Sequence, residues 1–244
     1  MGGIRTFTTA EGEDALFSLT TGSANTGLVW HALYSNTTGK NNTAVGTALV
    51  SNTSGNLNTG VGGSALAANT TGSNNVGCGI TALYNNTTGT SNVAVGGSAM
   101  LNNTIGDGST AVGPYALEEN TTGGQNTAVG NSALGNNTTG FYNTAVGSGA
   151  LAANTTGSHN IALGDSAGNT AAAGDSNIDI GNNGTADDSG VIRIGEAGTQ
   201  TATFIAGISQ TPITGGHKSR YYSRWTIGCE SFLRALQGRD QADG

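Results

Sequence analysis

Residues able to do chemistry are few and scattered in this sequence. His31, His159 and His217 stand far apart with no acidic residue next to them, which reads as surface imidazoles and not a catalytic base. Asp179 with Asp187-Asp188 offers the oxygen donors a hard cation takes, but the setting reads as a solvated loop. Cys78 and Cys229 are 151 residues apart, so neither a zinc spacing nor a disulfide framework is present. Gly60-Val61-Gly62-Gly63-Ser64-Ala65 matches a dinucleotide fingerprint as a pattern, without a βαβ unit or a following acidic residue. No Ser, His and acid share a plausible site. The Asn-Xaa-Thr/Ser sequons, Asn36 and Asn52 among them, are by-products of a recurring turn. The expectation is a non-enzymatic chain without catalytic, cofactor-binding or metal-binding residues, and without a cofactor.

Composition points the same way. Of 244 residues, Gly, Thr and Asn supply 105, while aromatics make up 5% and charged residues 9%. An enzyme domain needs more large apolar volume and more catalytic polarity than this. The net charge of −7, with 8 Lys and Arg, argues against a nucleic-acid partner. No run approaches the length of an apolar membrane span. Met1-Gly2-Gly3-Ile4-Arg5 has no apolar h-region, so no signal peptide is read here.

What must position any site is a repeat. Asn126-Thr127-Ala128-Val129-Gly130 returns as Asn143-Thr144-Ala145-Val146-Gly147, and the unit starts at residues 25, 42, 58, 75, 92, 109, 126, 143, 160 and 177. Every step is 17 residues except 42 to 58, where one residue is missing between Gly46 and Ala48. After Asn177 the step falls to 14, aligning Ile178-Asp179-Ile180-Gly181 with Ile192-Arg193-Ile194-Gly195. Seventeen residues is too short for a helix pair, and the Gly spacing breaks helices. Short Val- and Ile-rich segments bounded by Gly and Asn predict an all-β, parallel β-solenoid, one coil per repeat.

Numbering each unit from its leading Asn, positions two and four hold Thr and β-branched residues, and position three holds Ala or Gly until Asp179 and Arg193. Charges are costly in a narrow core, so positions two and four are expected inside and position three outside, with Cys78 an inward filler replacing Val. Position five is nearly always Gly, which predicts a bend at positive φ. Position eight is Ala from Ala32 to Ala167, and position nine is Leu or Met from Leu33 to Leu151. So thin a core is marginal alone and favours association of several chains. The turn Asn-Thr-Thr-Gly, as in Asn69-Thr70-Thr71-Gly72 and Asn120-Thr121-Thr122-Gly123, predicts a ladder of Asn side chains. Stacked Thr pairs also raise an ice-binding surface, although adjacent strand residues face opposite ways.

Asn-Thr-Ala-Val-Gly, followed by Ala-Leu and Asn-Thr-Thr-Gly, resembles the head repeats of trimeric autotransporter adhesins and haemagglutinins. It is still more similar to the 17-residue repeat stalks of tail-fibre-like proteins that end in an endosialidase-type chaperone. The resemblance runs from Ala15 to about Gly207, including Val191-Ile192-Arg193-Ile194-Gly195. It implies a left-handed β-roll-like solenoid, a homotrimer, an extracellular, cell-surface or virion location, and a host-surface glycan or matrix partner. The functions it implies are an adhesin-like fibre or a phage tail-fibre stalk. No chaperone is recognisable in this sequence. From His217 the composition changes, with five of the eight basic residues in the last 28 positions. Back-translating Phe232–Gly244 with permitted codons and reading one base later gives a segment resembling the chaperone's entry. The expected division is therefore a lead-in at 1–14, solenoid repeats at 15–176, shorter distal coils and an exit at 177–215, and a non-repeat tail at 216–244. That tail is read as out of frame and disordered.

Overall fold

The structure, a computed structural model, describes residues 7–170 and 172–201. The readings of the tail, His217 and Cys229 lie outside the described residues. Twelve three-residue strands form one parallel sheet in sequence order, and the described residues contain no helix. They are β1 (Thr9–Glu11), β2 (Thr26–Leu28), β3 (Thr43–Val45), β4 (Thr59–Val61), β5 (Val76–Cys78) and β6 (Val93–Val95). The series continues with β7 (Thr110–Val112), β8 (Thr127–Val129), β9 (Thr144–Val146), β10 (Ile161–Leu163), β11 (Ile178–Ile180) and β12 (Ile192–Ile194). The described residues form a parallel β-solenoid of about eleven turns, most of them 17 residues long. Each strand pairs with its equivalent one coil away: Ala111 faces Ala128 and Ala128 faces Ala145. The 14-residue step keeps that register, with Asp179 opposite Arg193. Strand β1 pairs with β2 through Thr9 and Thr26, so the stack reaches into residues 1–14.

The core corrects the expected facing. Position three points inward, and Ala44, Ala94, Ala111, Ala128, Ala145 and Ala162 are fully buried. Positions two and four point outward, where Val95, Val112, Val129, Ile161 and Leu163 are exposed. Cys78 is exposed as well and is no core filler. The physical reason is width. Buried Leu or Met at position nine and Ala at position eight already fill the coil, leaving room opposite them for a methyl at most. A Cβ built on Gly77 meets the Leu66 Cγ at 3.2 Å and the Ala82 carbonyl oxygen at 3.1 Å.

Asp179, whose charge suggested an outward position three, is 1% exposed and sits inside. It fits because position nine of the preceding coil is Gly168, where the coils before it carry Leu or Met: a Cβ there would come within 3.1 Å of Asp179 Oδ2.

Position five bends as expected, with Gly62, Gly79, Gly96, Gly113 and Gly130 at φ of 130–137°. Three further corners use the left-handed region without glycine. Leu66, Leu83, Met100 and Leu117 at position nine have φ of 52–55°, and Ser64, Thr81, Asn74 and Ser91 mark the other two.

The turn Asn residues form the expected ladder, fully buried. Asn69 Nδ2 donates to Asn52 Oδ1 at 2.8 Å, Asn86 to Asn69 at 2.7 Å, and Asn103 to Asn86 at 2.8 Å. A second buried ladder runs through the leading Asn. The Asn92 backbone N–H donates to Asn75 Oδ1 at 3.0 Å, and Asn75 Nδ2 donates to the Gly89 carbonyl at 2.8 Å. That carbonyl also accepts from Asn86 Nδ2 at 3.0 Å, so the two ladders meet on one oxygen. Burying so many amides is tolerable because these bonds satisfy them.

Candidate functional site

Three surfaces stand out once the core is assigned. The first is the outward stripe of positions two and four, running from Leu28 to Ile194 along every coil. Its members go from half-buried near β2 to largely exposed at Ile192 and Ile194. Threonines alternate with aliphatics along it, and among the described residues no charged side chain interrupts it between β2 and β12.

The second is an aromatic patch on the first two coils. Phe17 and Tyr34, both at position ten, stack with centroids 5.3 Å apart and planes within 5°. Trp30 lies on His31 at 3.7 Å, and His31 reaches Tyr34 at 4.7 Å. The His31 Nε2 is 3.5 Å from the Asp14 carboxylate, so a histidine expected to lack an acidic partner has one, contributed by the preceding coil. A smaller version recurs where His159 stacks on Tyr142 at 5.0 Å beside Phe141. The sequence signal for both was a 17-residue spacing between aromatic or imidazole side chains, as for Phe17 with Tyr34 and Tyr142 with His159.

The third surface is distal. Arg193 donates from Nε to Asp188 Oδ2 at 2.6 Å and from Nη2 to Oδ1 at 2.7 Å, while the Thr185 hydroxyl and backbone N–H also donate to that carboxylate. These bonds, Arg193's foremost, hold the Asp188 carboxyl far below the usual carboxylate range. Asp179 has neither oxygen hydrogen-bonded. Burial first, and the Asp188 charge second, push its carboxyl upward, against the lowering effect of Arg193. Asp187 is exposed. The three aspartates therefore do not converge on a cation: Asp188 is neutralised by Arg193, and among the described residues no three acidic, His or Cys side chains are placed to hold a metal.

The remaining candidates resolve simply. Gly60 is a core position and Gly62 a bend, so the glycine fingerprint cradles no phosphate. Asn36 and Asn52 are fully buried, with their amides spent in the ladder, and are closed to glycan attachment. The first Thr of each turn pair donates its hydroxyl to the next coil, as Thr70 does to the Thr87 carbonyl at 3.0 Å. No helix among the described residues is long and apolar enough to cross a membrane. No protein-family model, no curated protein and no solved structure matches the chain.

Proposed function

We propose that the chain is a non-enzymatic, extracellular fibre of adhesin-like type, a homotrimeric rod that spaces or presents a surface-binding region. The observation that carries this reading is the outward stripe. In a single chain these Val and Ile columns stay partly exposed, as at Val129 and Ile194, whereas an associating chain buries them. About twenty side chains line the stripe, close to the roughly 20–30 residues each partner contributes to a stable interface. The resemblance to trimeric adhesin heads supports three chains, and coils stacked about 4.8 Å apart give a rod of roughly 50 Å. Sedimentation equilibrium on the full chain tests the assembly. A mass of three chains is expected, and a single-chain mass at micromolar concentration refutes it.

A phage tail-fibre stalk is the companion reading, in which the same rod acts only as a spacer. Capture of the purified rod by immobilised glycan or matrix separates the two: an adhesin is retained and a pure spacer is not.

A further inference from the structure

We propose that Asn183 is a self-modification site, at which the Gly184 backbone nitrogen closes on the Asn183 carboxamide and water opens the resulting imide to aspartate and isoaspartate. The Asn182 side chain holds that nitrogen back and sets the rate. The site is independent of the fibre reading above and of any partner.

Neighbour and exposure single out this residue. Asn183 is the one asparagine in the sequence followed by glycine. Glycine leaves its own nitrogen unshielded by a Cβ and able to turn toward the preceding side chain. The ladder asparagines are closed to the same chemistry. Asn69 and Asn86 are fully buried, their amides are bonded across coils, and each is followed by threonine. Asn41 and Asn136 are exposed, but the next residue in both cases is a buried ladder asparagine. Asn183 is exposed, and the coil grips it by its backbone carbonyl, which accepts from the Thr170 N–H at 3.1 Å and from the Thr170 hydroxyl at 2.9 Å.

The step balances with water as the only co-reactant. The Gly184 nitrogen gives up its proton and bonds to Asn183 Cγ, the Cγ–Nδ2 bond breaks, and Nδ2 leaves with a proton as ammonia. Water then cleaves one of the two imide C–N bonds, giving aspartate at one and isoaspartate at the other. No atom is oxidised or reduced. Ring closure between adjacent groups gains from proximity and needs no external catalyst. The brake is a hydrogen bond. The Gly184 N–H donates to Asn182 Oδ1 at 2.8 Å, and a bond made by the protonated nitrogen opposes loss of its proton. Asn182 is anchored in turn from the next coil, its Nδ2 donating to the Gly195 carbonyl at 2.8 Å. Fraying of the β12 coil therefore releases the nucleophile, and the modification records how firmly that coil is held. Isoaspartate routes the main chain through the Asn183 side chain and so lengthens the 14-residue step that keeps β11 and β12 in register.

The test incubates the full chain in isotope-labelled water at mildly alkaline pH and maps its peptides by mass spectrometry, with isoaspartyl methyltransferase as a second probe. Label and isoaspartate should accumulate at residue 183 ahead of every other asparagine. Asn182→Ala should speed this about two- to tenfold, the equilibrium factor carried by one net hydrogen bond. If that variant also loosens the distal coil, the Gly184 nitrogen is released all the same, so acceleration is expected either way. Asn183→Gln, which would have to close a larger ring, should lose the signal at 183 while circular dichroism keeps its β signal. Label confined to Asn182→Ala supports the site and its brake together. Absence of label at residue 183 in both the parent and Asn182→Ala, or equal label at Asn41 and Asn136, overturns the site. Equal rates in the parent and Asn182→Ala overturn the brake.

Discussion

Ala128→Asp and Val129→Asp are adjacent substitutions in β8 with opposite expected outcomes. Ala128 is fully buried, while Val129 is 37% exposed on the stripe. Above and below Ala128 lie Ala111 and Ala145 in register, and position nine of the preceding coil and of its own supplies Leu117 and Leu134. Even a bare Cβ at an equivalent site is tight, since one built on Gly60 comes to 3.1 Å from the Ala48 Cβ. A carboxylate there adds overpacking of about 1–3 kcal/mol to the several kcal/mol of an unpartnered buried charge. The total approaches the whole stability of a typical domain, about 5–15 kcal/mol. Because coils support their neighbours, the loss spreads along the rod. Val129→Asp forfeits only the hidden part of one Val, about 1–2 kcal/mol in the single chain, but places a charge on each chain at the proposed contact. Circular dichroism should therefore show loss of β signal for Ala128→Asp, and retained signal with single-chain mass for Val129→Asp. A folded Ala128→Asp beside an unfolded Val129→Asp would refute the inward assignment of position three.

Gly123→Ala should lower the melting temperature by several degrees, because its Cβ would come within 2.8 Å of Asn137 Nδ2 and crowd the Gly140 carbonyl, costing about 1–3 kcal/mol; thermal melts decide it. Asp179→Ala restores the residue its column carries elsewhere. The folded-state carboxyl is raised, so ionisation penalises the fold increasingly as pH climbs from the unfolded value through the raised one. The variant should therefore melt higher than the parent at pH 7–8, with that advantage shrinking toward pH 3, and an advantage independent of pH would count against a buried, partnerless carboxylate.

Much of this fold is readable from spacing alone. The 17-residue register, the Gly bends, the buried Ala-Leu pair and the Asn ladder of the turn all follow from residue type and period. The facing of positions two and four does not, for a physical reason. Alternation locates two faces but does not say which is inside when Ala lies on one and Val on the other, and the larger apolar residue is the natural choice for a core. In this coil Leu66 and its equivalents take that space first. Asp179 reinforced the error, because Gly168 opens room for it from the preceding coil, a compensation seen only in three dimensions. The left-handed corners at Leu33 and Met100 carry no residue signal, since leucine and methionine seldom adopt them. The His31–Asp14 pair was hidden by reading neighbours along the chain when the relevant neighbour is one coil away.

The short third coil bears on how such a rod changes in length. One residue is missing there, and the Ala48 N–H closes directly on the Gly46 carbonyl at 2.7 Å, a three-residue turn in place of the usual corner. The pairing of Thr43 with Thr59 and the bond from Asn52 to Asn36 continue undisturbed across it. Errors at a corner are thus absorbed at that corner and do not propagate into the ladders. Successive coils offer nearly the same contacts to whatever stacks on them, so a coil can be added or removed without a new packing solution. The length of the stack is then set in increments of about 4.8 Å per coil.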